Sequence, residues 1–207
     1  MRDVNKDNIT DVFMSYLGPD VNPRLREIMA SLVGHLHDFA KEVNLTHEEW
    51  ETGIDILERS GQISDEKRHE VILLSDVLGL SSLVDMINFK PGGTSSSVLG
   101  PFHITGAPSL EIGGDLKGNV PGPVLLAQGI IKDQSGNPIK NASVDIWQTA
   151  PNGLYSSQDP DQDIYSFHGL QTTGDDGRYA FTTAPPIEYT VPTDGPVGDL
   201  LNACGRH

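Results

Sequence analysis

Two tyrosines stand in segments of unusual composition. Tyr155 follows a strand-like run in WQTAPNGLYSSQD, and Tyr189 lies in the Pro-rich loop sequence PPIEYTVPTDGPVGDLL. A phenol can ligate a metal, but a single tyrosine is nearly always a packing residue with a wetted hydroxyl, so neither residue alone defines a site. The histidines are no better by spacing. His35 and His37 stand two residues apart in a helical run, which points them roughly 200° apart around the axis and keeps them from chelating one ion. They read as exposed or capping histidines. His103 and His168 fall in loops without a carboxylate or cysteine at a familiar ligand spacing, and His47 and His69 lie beside helix caps. From the histidines alone, no metal site follows. Cys204, the single cysteine, can form no internal disulfide and reads as a small buried hydrophobe, which fits a reducing, cytoplasmic compartment.

The elements that must position these residues are helical in the first 90 residues. Ile9, Val12, Phe13, Tyr16 and Leu17 recur at helical spacing, as do Leu25, Ile28, Met29, Leu32, Val33, Leu36, Phe39 and Ala40. Thr46 with Glu49 is a capping-box pair opening a helix through Trp50, Ile54 and Leu57. Ser64 before Asp65-Glu66 reads as the next cap, and the apolar run from Val77 to Ile87 as a further helix, which makes about five. Composition changes at KPGGTSSS, residues 90 to 97, where Pro and Gly deny a regular helix. Beyond it PVLLAQGIIKD, NASVDIWQT and RYAFTT read as short strands separated by the turns SGNP and DDG. The fold class is therefore α+β, a helical N-terminal domain over residues 1–90 followed by an antiparallel β-sandwich over 91–207, with chemistry expected on the loops.

Charge excludes some partners. Fourteen Lys and Arg against 29 Asp and Glu give a net charge of −15, a field that repels nucleic acid and anionic membrane surfaces and otherwise serves solubility. No apolar run is long enough to cross a bilayer, and MRDVNKDNITDVF lacks the basic patch and apolar block of a secretory signal. The glycines of LEIGGDLKGN sit in no strand-to-helix context that would cradle a phosphate.

The blocks TSSSVLGPFHITGAP, DIWQTAPNGLYSSQD, GDDGRYAF and IEYTVPTDGPVGDLLNACGRH, in that order, resemble those of the intradiol ring-cleavage dioxygenases. Residues 35 to 57 resemble the helical region of the catechol and hydroxyquinol branch. The resemblance covers nearly the whole chain. It implies a non-haem Fe(III) enzyme of aromatic catabolism, in which two tyrosinates and two histidines hold the iron, and the tyrosines fall on Tyr155 and Tyr189. Fe(III) is a hard cation suited to anionic oxygen, and its charge pulls a phenol of ordinary pKa near 10 into its phenolate. The resemblance further implies that the diol chelates the iron as a dianion and reacts with O2 directly, and that the ring opens between the two hydroxyl-bearing carbons. Substrate-binding positions carried over by motif are Leu73, Asp76, Val98, Gly100, Pro101, Phe102, Val191 and Pro192.

Asp76 and the spelling VLGPF look closer to hydroxyquinol 1,2-dioxygenases, which convert benzene-1,2,4-triol to maleylacetate, than to catechol or chlorocatechol enzymes, which give muconates. An acidic group could bond the third ring hydroxyl, although Asp76 also reads as an N-cap to a helix beginning near Val77. The resemblance further implies a homodimer through the N-terminal helices with a lipid at its interface. The family's Arg-Pro-x-His-x-His run, which carries both histidine ligands, is expected beyond residue 207, so the isolated 207-residue polypeptide is expected to bind iron weakly or not at all, to be inactive and to leave an unpaired sheet edge. A non-catalytic scaffold built on the same sandwich is the alternative, since sandwiches host many functions.

Overall fold

The structure is a computed structural model and describes residues 3–206. The chain forms two compact units, residues 1–55 and 56–207, and the division falls inside the third helix. In the first unit, α1 (Ile9–Ser15) packs on α2 (Pro23–Glu42), the long helix expected from the period. Asn22 caps α2 by accepting the backbone N–H groups of Arg24 at 2.9 Å and Leu25 at 3.3 Å, and Pro23 occupies the first helical position, where no N–H is needed. Thr10 Oγ1 and His37 Nδ1 lie 2.9 Å apart between α1 and α2, so His37 is a packing contact and not a ligand. α3 (His47–Gln62) opens on the expected capping box, with the Thr46 N–H donating to Glu49 Oε2 at 2.9 Å and the Glu49 N–H to Thr46 Oγ1 at 3.3 Å.

In the second unit two short helices follow, α4 (Glu70–Val77) and α5 (Leu80–Asn88). Two expectations change here. Ser64 does not cap a helix: its hydroxyl donates to Ser60 O, and Asp65 folds the chain into a turn by accepting the N–H groups of Lys67 and Arg68. The run from Val77 to Ile87 is not one helix either. Gly79, at φ +77°, takes a left-handed conformation that ends α4 and starts α5. Asp76 consequently lies in the last turn of α4 and is no N-cap.

The β-structure forms two small sheets. β1 (Gly114–Asp115), β5 (Arg178–Thr183) and β2 (Leu125–Ile130) lie in the order β1-β5-β2, and β3 (Ser143–Trp147) pairs with β4 (His168–Thr172). β2–β5 and β3–β4 are antiparallel, whereas the two-residue β1 runs parallel to β5. The sheets are tied by Gln171, 1% exposed, whose side-chain amide donates to Glu111 O at 2.8 Å and Ala180 O at 2.7 Å and accepts from Ala180 N. Full pairing removes the penalty of burying that amide. His168, expected in a loop, opens β4 and is buried. Cys204, expected to be buried, is exposed.

A last helix, α6 (Pro196–Ala203), follows the strands. Val197, Leu200 and Leu201 on α6 meet Leu73, Leu74 and Val77 on α4 in one apolar cluster, and Ala150, Phe167 and Ala184 form a second.

Candidate active site

Tyr155 sits in a loop braced by its own backbone. Gly153, at φ +82°, allows the turn that brings Ala150 N to Leu154 O at 2.9 Å, and the Tyr155 N–H donates to Gln158 Oε1 at 3.1 Å. The Ser156 hydroxyl adds a bond to Ile164 O at 2.6 Å. Tyr189 belongs to a stretch, residues 184–193, with no helix or strand of its own. These two segments, 34 residues apart in sequence, converge: the Tyr155 hydroxyl donates to the Tyr189 hydroxyl at 3.3 Å, and the rings meet edge to face at 5.3 Å.

Phe102 completes the cluster. Its ring stacks on Tyr155 at 4.5 Å and 14° and meets Tyr189 edge-on at 6.2 Å. Aromatic pairs in such geometry contribute about 0.5–1.5 kcal/mol beyond the area they bury. The next residue, His103, anchors the loop to β3, with Nε2 at 2.9 Å from Asp145 Oδ2 and its ring edge-on to Trp147 at 4.7 Å. Spacing along the chain offers His103 no carboxylate because its partner lies 42 residues on, a separation no spacing rule reads.

Tyr155 is 9% exposed and Tyr189 50% exposed. Burial, and then the hydrogen bond and the charge of Tyr189, push the Tyr155 phenol well above its ordinary range, because each disfavours a second anion in an apolar setting. The Tyr155 hydroxyl therefore does not ionise unaided near neutral pH. Two phenol oxygens held together in this way could take a hard cation, whose charge would reverse the local preference.

Beside the tyrosines opens a cleft of about 450 Å³, within the size range of small-molecule sites. Leu73, Pro101, Phe102, Val191 and Pro192 all line it, as do Leu154 and Thr190, the chain neighbours of the two tyrosines. Val98, Gly100 and Asp76 are not among its lining residues. Both Asp76 carboxylate oxygens are nevertheless buried, with no hydrogen-bond partner among the described residues. Natural structures rarely leave such a group unpaired without a functional reason.

Sequence reasoning missed three further residues along the cleft, Arg68, Glu70 and Asp194. Glu70 is 1% exposed and is held by the Arg68 guanidinium at 3.0 Å. Arg68 also pairs with Asp194 at 2.9 Å, which holds the Asp194 carboxyl below its usual range. A buried Glu demands a cationic partner, and Arg68 two positions away was the available signal; the tie to Asp194, 126 residues distant, had none.

No helix among the described residues is long and apolar enough to cross a membrane. No group of three or more His, Cys, Asp or Glu among them could hold a metal ion.

Comparison with known proteins gives two adjoining family matches: the catechol dioxygenase N terminus over residues 22–92 and the dioxygenase family over residues 99–207. The chain is 44% identical over 209 residues to a 6-chlorohydroxyquinol 1,2-dioxygenase of Cupriavidus pinatubonensis, covering 100% of this chain and 76% of the relative. It is 46% identical over 189 residues to a hydroxyquinol 1,2-dioxygenase of a Rhizobium species, covering 90% of this chain and 64% of the relative. Among solved structures, a hydroxyquinol 1,2-dioxygenase from Pseudomonas putida superposes with a TM-score of 0.81 at 44% identity, over 98% of this chain and 71% of that one.

Proposed function

Because the chain belongs to the intradiol ring-cleavage dioxygenase family, we propose that Tyr155 and Tyr189 are two phenolate donors to a ferric ion in an enzyme that opens aromatic diols with O2. The observation that carries this reading is the convergence of the two hydroxyls to 3.3 Å against Phe102, at the edge of a cleft walled by motif residues. Their chemistry fits the ion. Both are oxygen donors that become anionic on binding, and Tyr155 is held where only a cation would draw off its proton. When bound, a ferric ion supplies the Lewis acidity that holds the diol as a chelated dianion and activates it toward O2. The chain's residues supply the rest. Phe102 fixes the Tyr155 ring, and Leu73, Pro101, Val191 and Pro192 offer an apolar wall to an aromatic ring.

The preferred substrate is benzene-1,2,4-triol, opened to maleylacetate, with catechol or chlorocatechol as the competing choice. We assign the third ring hydroxyl to Asp76 because its carboxylate has no partner among the described residues, which requires the triol to reach past the residues that line the cleft. Catechol, lacking that hydroxyl, leaves it unpaired.

Residues 1–90 we read as an association region giving a homodimer, with room for a lipid chain, and residues 91–207 as the catalytic region, in a cytoplasmic enzyme. On α2 the apolar stripe of Leu25, Ile28, Leu32, Leu36 and Phe39 is exposed by 45–54%, which supports a partner on that face. Light scattering after size exclusion tests the dimer.

The site itself is tested by loading the purified protein with ferric ion and adding catechol or the triol without oxygen. Tyrosinate-to-iron absorption that both Tyr155→Phe and Tyr189→Phe weaken, and that the diols perturb, supports the reading. Iron uptake indifferent to both substitutions overturns it.

A further inference from the structure

The part of the cleft wall between Tyr189 and α6 has no secondary structure to hold it, yet residues 190–194 all line the cleft. One end of this span is fixed by the Tyr189 ring on Tyr155 and Phe102. The other end runs into a charge network seated on the buried Glu70. Asp194 is gripped by both terminal nitrogens of Arg68, Nη1 to Oδ2 and Nη2 to Oδ1, each at 2.9 Å. The same guanidinium donates through Nε at 3.1 Å and Nη2 at 3.0 Å to Glu70 Oε2. Glu70 Oε1 in turn accepts the Val197 N–H at 3.2 Å, one of the donors that the start of α6 would otherwise leave unpaired.

The chain fits closely around this network. A Cβ on Gly195 would fall 2.5 Å from Glu70 Oε1 and 2.6 Å from Arg68 Nη2, and a Cβ on Gly198 would fall 2.5 Å from Thr193 Cα. A planar guanidinium that bridges two carboxylates fixes direction as well as distance, which a lysine ammonium does not.

We propose that Arg68, seated on the buried Glu70, is a positioning residue for the Tyr189 loop: by gripping Asp194 it sets where Val191 and Pro192 wall the cleft and where the Tyr189 hydroxyl meets Tyr155. The proposal rests on the ferric reading for its catalytic meaning. Its test does not, because it is read on metal-free protein.

The variants are Arg68→Met, Arg68→Lys and Asp194→Asn, with isotope-labelled tyrosine rings assigned through Tyr155→Phe and Tyr189→Phe. In Arg68→Met the Tyr189 and Tyr155 ring signals should move toward their solvent-exposed positions while those of Tyr165 and Tyr179 stay in place. Arg68→Lys should restore them in part. If Arg68→Met does not fold, Asp194→Asn decides, because the Asp194 side chain is 69% exposed and leaves the Glu70 pair intact. A shift confined to Tyr155 and Tyr189 supports the proposal. A folded variant with all tyrosine signals unmoved, or with all of them moved alike, overturns it and leaves Arg68 a stability element only. Failure of the ferric reading would show separately, as wild-type iron absorption that ignores both tyrosines.

Discussion

Ionisation of Tyr155 offers a measurable consequence of the site's geometry. Burial raises this phenol in the folded, metal-free protein, and the Tyr189 hydrogen bond raises it further. In the unfolded chain it titrates near the ordinary value of about 10. The sign follows: above about pH 10 the unfolded state sheds the Tyr155 proton and the folded state keeps it, so the contribution is intact below about pH 10 and is lost as pH rises toward the folded pKa. Each pH unit in that window removes about 1.4 kcal/mol, which reaches about 2 kcal/mol by about pH 11.5. Tyr155→Phe removes the titrating group and keeps the ring that stacks on Phe102 at 4.5 Å. Denaturant unfolding of wild type and variant, run at steps between about pH 9 and 11.5, should give free energies that converge by about 2 kcal/mol from their separation at pH 9. Parallel decline of the two curves would refute the claim that Tyr155 is held protonated by its surroundings. Tyr189→Phe, which removes the hydrogen bond and the neighbouring charge but not the burial, should narrow the window without closing it.

Other consequences are local. Glu70→Ala leaves Arg68 on Asp194 alone and the Val197 N–H without its acceptor, and one such unpaired buried donor costs about 1–3 kcal/mol, read as a lower urea midpoint. His103→Phe and Asp145→Ala, measured singly and together, should show a coupling of about 1–3 kcal/mol through their 2.9 Å contact; additive losses would mean that the pair does not anchor the Phe102 loop. Asp76→Ala removes a buried carboxylate with no partner among the described residues, so stability should hold or rise while discrimination for benzene-1,2,4-triol over catechol falls at least tenfold, about 1.4 kcal/mol; equal losses on both diols would remove Asp76 from recognition. Gly79→Ala, at φ +77°, should cost about 1–2 kcal/mol although a Cβ there meets nothing within 4 Å.

Where local rules act alone, the sequence was legible. The α2 period, the Thr46–Glu49 capping box and the RYAFTT strand appear as expected because each depends on neighbours within one turn or one pleat. Misreadings arise where tertiary contacts decide. α6 looked like a Pro-rich loop, although Pro196 at its first position and Val197, Leu200 and Leu201 at helical spacing were present; its N-terminus is completed by Glu70, 127 residues away. One left-handed residue, Gly79, splits an apolar run that periodicity alone joins. β1 is two residues long and exists by pairing with Phe181 and Thr182, which nothing around Gly114 announces. Within the site, resemblance named Tyr155, Tyr189 and Phe102, which the structure brings together, and also Val98 and Gly100, which lie outside the cleft lining. The Arg68–Glu70–Asp194 network stayed hidden because its two halves lie at opposite ends of the chain.

The most direct test of the central claim is a titration of the purified protein with a soluble ferric chelate, followed by visible absorption and compared with Tyr155→Phe, Tyr189→Phe and the double variant. The account predicts that whatever ferric ion the wild type takes up gives a tyrosinate-to-iron band at near-neutral pH, weakened by either substitution and abolished by both, because a bound cation ionises the Tyr155 phenol that the fold otherwise keeps protonated. Iron bound without such a band, or a band that survives in the double variant, would contradict it.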